Sequence, residues 1–174
     1  INYTRCHDDI GLGFSDDAIY KAGYTPFEHR RFLKEFYAGK FVSSYSKGLL
    51  FGVNPKTQDA RISGTLASLC GLESAIEKND SSLINIAIKR IILMQANSIF
   101  LGGIPMLYYG DELGYTNDYS FENDKGKEYD NRWAHRPKID WKKNSKRSKD
   151  NTIENIIFEE TKKLIHIRKS FDCF

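Results

Sequence analysis

Cysteine is scarce: Cys6, Cys70 and Cys173 are the only three. An odd number without metal-ligand spacing argues against a disulfide framework and against a structural metal site. It fits reduced thiols in a cytoplasmic setting, with secretion left open. An excess of one charge is also missing. Lys and Arg number 26 against 23 Asp and Glu, a net charge of +3 that gives no electrostatic case for nucleic acid as a partner. No secretory leader and no apolar run long enough to span a bilayer are read, so no membrane partner is expected. The chain opens on Ile1 directly in a strand-like run, so its true start is expected upstream. What is present is ordinary for a soluble globular protein: 174 residues, 40% hydrophobic and 28% charged, enough for one domain with a core.

The most informative stretch is the first, Ile1-Asn2-Tyr3-Thr4-Arg5-Cys6-His7-Asp8-Asp9-Ile10-Gly11. Ile1, Tyr3 and Thr4 have strand propensity and lead into Arg, His and two carboxylates. Neighbouring residues on a strand face opposite ways, so Asp8 and Asp9 can share a pocket only if the strand ends and the chain turns there. Gly11 and Gly13 permit that turn. Polar clusters at the carboxyl ends of strands are where open sheets and barrels place their chemistry. An isolated His-Asp pair, by contrast, is by default a solvated strand end.

Further along, Glu28 to Phe41 reads as a helix, with Phe32, Phe36 and Tyr37 at helical spacing as a core-facing stripe. Residues 48–55 read as irregular, punctuated by Gly and Asn54-Pro55. Leu66 to Leu72 reads as a short helix capped by Ser63 or Thr65. Behind Asp80-Ser81-Ser82, Leu83 to Phe100 is apolar nearly all round, as expected of a helix packed on most sides. Ile104 to Tyr109 reads as a buried strand that ends in Asp111 and Glu112. A polar loop from Tyr115 to Asn151 follows, longer than a simple connector needs, and its basic run at 142–149 reads as a solvated surface. Ile153 to Ser170 reads as an amphipathic helix.

Two successive strand–helix units, each strand ending in acids, predict an α/β fold: the last two units of a partial (β/α)8 barrel, with a helical insertion after the first strand. Residues 1–11 and 80–174 would form the barrel part and residues 12–79 the inserted subdomain.

Two stretches carry a resemblance. His7-Asp8 after a strand, with Gly103-Ile104-Pro105-Met106-Leu107-Tyr108-Tyr109-Gly110-Asp111-Glu112 much later, resembles the last two conserved regions of the α-amylase superfamily, glycoside hydrolase family 13. Five finer stretches resemble the amylosucrases and the closely similar sucrose hydrolases: residues 5–11, Glu28-His29-Arg30, Asn54-Pro55, residues 61–65 and residues 132–137. The resemblance implies that Asp8 is the third carboxylate of the catalytic trio, a transition-state stabiliser rather than a nucleophile. It implies that Arg5, His7, Asp9, Arg30, Asn54, Arg61 and Arg132 bind substrate. His7 would hold ring hydroxyls, Asp9 and Arg61 the fructosyl side and then the acceptor, and Arg30 the acceptor. Arg132 would pair with a carboxylate upstream of Ile1 to close the glucosyl pocket. Gly52 stands where the family often has Gln. No cofactor or metal is implied; the partners would be sucrose and an α-glucan acceptor.

The family's nucleophile and acid/base fall before Ile1, and Asp111 and Glu112 are there more structural than catalytic. The resemblance therefore implies a fragment of a glucosyltransferase that is inactive alone. The alternatives are a sucrose hydrolase or other family 13 α-glucosidase, and a non-enzymatic remnant.

Overall fold

The computed structural model describes residues 1–173, and about half of the chain is helical. In chain order the elements are β1 (Ile10–Gly11), α1 (Asp16–Lys21), α2 (Pro26–Tyr37), β2 (Leu49–Phe51), β3 (Arg61–Ser63), α3 (Leu66–Leu69), α4 (Leu72–Glu77), α5 (Ser81–Phe100), α6 (Trp141–Ser145) and α7 (Ile153–Lys169). Short 3₁₀ turns lie at Asp111–Leu113, Tyr119–Asn123, Asn131–His135 and Lys146–Ser148.

The long helices begin where side chains cap them. Asp80 Oδ1 accepts from the backbone N–H of Ser82 (2.9 Å) and of Leu83 (3.0 Å) and so starts α5. Thr152 Oγ1 accepts from Asn155 N–H at 3.2 Å and starts α7. Each cap satisfies donors that a helix leaves open at its first turn. Asp80→Ala should therefore lower stability by about 1 kcal/mol, read as a drop in the urea midpoint with an unchanged slope. An unchanged midpoint would mean that α5 owes nothing to its cap.

Against these helices the main core forms: Leu66, Ala67, Cys70 and Leu72 from α3, α4 and the turn between them meet Ala87, Ile88 and Ile91 of α5 and Ile157 of α7. Gln95 crosses the same layer. Its Nε2 donates to the Asp111 carbonyl at 3.1 Å and its Oε1 accepts from Thr161 Oγ1 at 2.5 Å, which ties α5 to α7 through groups that water does not reach.

The partial barrel expected from the sequence is not what the chain forms. Its sheet is small and antiparallel, in the order β1-β3-β2. The two stretches read as parallel strands, Ile1–Thr4 and Ile104–Tyr109, meet at a single parallel bridge, Asn2 with Pro105. Two backbone hydrogen bonds of 2.8 Å hold it, from Asn2 N–H to the Ile104 carbonyl and from Met106 N–H to the Asn2 carbonyl. Parallel strands persist where flanking strands and helices cover both faces. Here Ile1, Tyr3, Ile104 and Met106 stay exposed, so the stretch expected to be a buried strand is neither buried nor a strand.

Other expectations also change. Residues 48–55, read as irregular, contain β2, because the chain between β2 and β3 folds back through Gly52 and Gln58, both at positive φ. The helix expected at 66–72 breaks into α3 and α4 at Gly71, whose φ is +93°. The aromatic stripe of α2 is core only in part: Tyr37 packs, half-buried, against the cluster of Leu12, Ala60, Ile62 and Leu69, Phe36 is half-buried, and Phe32 is exposed. α5 is packed on one side only, with Leu93 and Met94 exposed. It is also long and apolar enough to cross a membrane by length and composition, contrary to the reading of the sequence; in the fold it packs on α4 and α7. The long loop at 115–151 is a chain of tight turns, with Asp118, Asp130 and Asp140 capping three of them.

Candidate active site

Arg5 anchors the opening segment. It is buried, and its Nε donates to the Gly64 carbonyl (2.9 Å) while Nη2 donates to the Asp8 carbonyl (3.0 Å). Arg136 reaches in from the other side, donating from Nε (2.9 Å) and Nη2 (2.7 Å) to the His7 carbonyl. Two guanidinium groups thus hold consecutive carbonyls, and the backbone at His7–Asp8 is fixed while both side chains stay exposed.

The Asp8 carboxylate is oriented by its surroundings. Oδ1 accepts from the Asp9 backbone N–H at 3.0 Å and from Arg132 Nη1 at 3.2 Å. The Arg132 bond, and then the Asp9 N–H, hold its pKa below the usual carboxylate range, so Asp8 is ionised at neutral pH. Asp9 turns the other way. Its carboxylate is largely buried and lies 3.6 Å from Arg61 Nη1. Pairing of β1 with β3 sets Gly11 opposite Arg61 and so brings the two charges together.

The turn at 130–136 supplies the opposing wall. Asp130 Oδ1 accepts from the backbone N–H of Arg132, and the same carboxylate grips the Arg132 guanidinium through Nε (2.9 and 3.1 Å) and Nη2 (2.9 Å). A two-point grip of this kind fixes the plane of the guanidinium. Arg132 is then left with Nη1 for Asp8. Asn131 pins the turn to the sheet: Oδ1 accepts from Ser63 Oγ at 2.8 Å and Nδ2 donates to the Leu50 carbonyl at 2.9 Å. The triplet Asp8, Arg132, Asp130 carries one net negative charge, because Asp130 offsets the arginine. Asp8 therefore remains an anionic group facing solvent.

His135 lies fully buried under this turn. Its Nδ1 accepts from the Gly64 N–H at 3.1 Å, so the neutral ring carries its proton on Nε2. Burial, with Arg5 and Arg136 nearby, pushes its pKa down to about 4. An unfolded histidine takes its proton near pH 6.5, so the unfolded chain binds more protons than the fold between these values. This group's contribution is full above about pH 6.5 and is lost as pH falls toward about 4. The His135 ring nitrogens should accordingly keep neutral-imidazole NMR shifts at about pH 5.5. A titration midpoint near 6.5 would contradict the burial.

Of the residues singled out from the sequence, the structure brings Arg5, His7, Asp8, Asp9, Arg61 and Arg132 into one region. Two lie elsewhere. Arg30 is buried and holds the segment before α1, donating to the Leu12 carbonyl (3.3 Å), the Phe14 carbonyl (2.6 Å) and Asp16 Oδ1 (2.5 Å). Asn54 shapes the β2–β3 turn, its Oδ1 accepting from Lys56 N–H at 2.9 Å. Four contributors had no role read for them from the sequence: Asp130, Asn131, His135 and Arg136. Asp130 carried a signal, an Asp at a helix-start position two residues before an Arg. Among the described residues no group of three or more His, Cys, Asp or Glu side chains could hold a metal ion. No protein-family model matches the chain.

Proposed function

We propose that this chain is the part of a sucrose-cleaving, α-retaining glucosyltransferase, of amylosucrase type, that carries the transition-state carboxylate. One observation supports the reading above the others: Asp8 is ionised, oriented by Arg132 and the Asp9 N–H, and solvent-facing, with the Asp9–Arg61 pair next to it in the chain and sheet.

Retaining glycosyl transfer uses a nucleophilic carboxylate and an acid/base carboxylate about 5 Å apart, through an oxocarbenium-like transition state. The resemblance places both upstream of Ile1. Asp8 supplies a third, fixed negative charge that stabilises the positive sugar and accepts hydrogen bonds from its hydroxyls. Because its oxygens are already oriented, no reorganisation is needed as charge develops. Arg61 and Asp9 offer a donor and an acceptor set to the fructosyl hydroxyls, and after fructose leaves to the acceptor sugar.

The 174-residue chain by itself should release no fructose from sucrose above a buffer blank, since nothing in it attacks the anomeric carbon. Fructose release from a preparation free of host enzymes would overturn the assignment of Asp8 as a stabiliser. Transfer and hydrolysis are separated by product analysis: transfer lengthens a glucan, whereas hydrolysis yields free glucose.

A further inference from the structure

Between the loop at 42–48 and α4 runs a polar cleft that the reading above leaves unused. It consists of two adjoining hollows of about 330 and 400 Å³ that share Ser44, Ser74 and Lys78. Arg90 lines the first, its guanidinium carbon 3.6 Å from the centre of the Tyr45 ring. Stacking of this kind holds the guanidinium in place. Its Nη1 donates to the Cys70 carbonyl at 3.4 Å. Neither Arg90 nor Lys78 forms an ion pair among the described residues, whereas Glu77, the carboxylate of the second hollow, is engaged by Lys47. Ser46 also borders that hollow, with its hydroxyl oxygen enclosed in the protein.

Arg90 and Lys78, neither of them in an ion pair among the described residues, line the first hollow together with Ser43 and Ser74 and form a set of donors for an anionic ligand. We propose that this cleft binds a phosphate group, as the free ion or as a phosphate monoester. A phosphate presents three strong acceptor oxygens, enough to take bonds from the Arg90 fork, the Lys78 ammonium and a serine hydroxyl at once; a carboxylate has two. The guanidinium stacked on Tyr45 is positioned beforehand, so little side-chain freedom is lost on binding. The site does not depend on the sucrose reading, because none of its residues is part of the Asp8 cluster.

Equilibrium dialysis of the 174-residue chain against inorganic phosphate, at constant ionic strength, tests it. Wild type should bind one phosphate per chain with saturation. Arg90→Gln and Lys78→Gln should each weaken binding by at least about tenfold, the effect of losing one charge-assisted contact. Circular dichroism confirms folding. If Arg90→Gln does not fold, Lys78→Gln decides alone, since Lys78 is exposed and its loss leaves the core intact. Binding that does not saturate, or a folded variant that binds as wild type does, would overturn the proposal.

Discussion

Replacing Asp8 by Asn in the protein encoded by the whole reading frame should lower turnover on sucrose by at least about a hundredfold, the scale for losing one preorganised electrostatic group. The substitution keeps the shape and removes the charge. Nothing in the surroundings requires the charge for folding: Asp8 is exposed, its carbonyl and that of His7 are held by Arg5 and Arg136, and an amide oxygen can still accept from the Asp9 N–H. Stability should change little, because exposed ion pairs contribute about 0–1 kcal/mol. The loss should appear in kcat more than in KM, as befits a group whose interaction strengthens only as positive charge develops. Near-normal turnover would make Asp8 a turn residue and nothing more.

The largest expected effect on stability comes from Arg5→Met. Arg5 is 3% exposed and joins the Gly64 and Asp8 carbonyls, and the buried Asp111 carboxylate counterbalances its charge. Asp111 already holds its proton up to about pH 7 because burial disfavours its charged form, and Arg5 opposes that rise. Taking Arg5 away leaves two carbonyls without their charged donor. Leaving a buried acceptor unmatched costs about 1–3 kcal/mol, so the two together are a large part of the 5–15 kcal/mol typical of a domain. Urea unfolding should show a loss of about 2–6 kcal/mol. The deficit should be larger above about pH 7, where Asp111 ionises near Arg5, than below it. A loss under about 1 kcal/mol would mean that Arg5 is not the anchor of this segment.

The two long helices were legible in the sequence because their signals are local. Asp80 and Thr152 stand just before apolar periodic runs, and caps and periodicity act within a few residues. The fold class was not legible. Strand propensity at 1–4 and 104–109 is real, but pairing is a matter of neighbours, and there the two stretches form a single isolated bridge, Asn2 with Pro105. The sheet that does form uses strands of two or three residues, too short to show a period. It is made by the backbone at Gly52 and Gln58, which hydrophobic patterning does not report. The α2 aromatics show a partial version of this: spacing gives a face, but not that Tyr37 of that face packs on the core while Phe32 stays exposed.

The site was legible in part. Gly11, read as permitting the turn after the two acids, lies in β1 instead, and the chain bends at His7 and Asp8. Within the chain Arg132 has a partner two residues away, because Asp130 both caps the turn and grips the guanidinium. His135 could not be read as buried from a loop rich in polar residues. Its burial follows from a hydrogen bond to Gly64 across the fold.

The proposed role of the Asp8 cluster is tested most directly by sucrose products. The protein encoded by the whole reading frame is incubated with sucrose and an α-glucan primer, in parallel with its Asp8→Asn variant, and free fructose, free glucose and glucan length are measured. The account predicts fructose together with a lengthened glucan from the wild type, and loss of both in the variant. An absence of fructose from the wild type, or equal fructose from the folded variant, would contradict it.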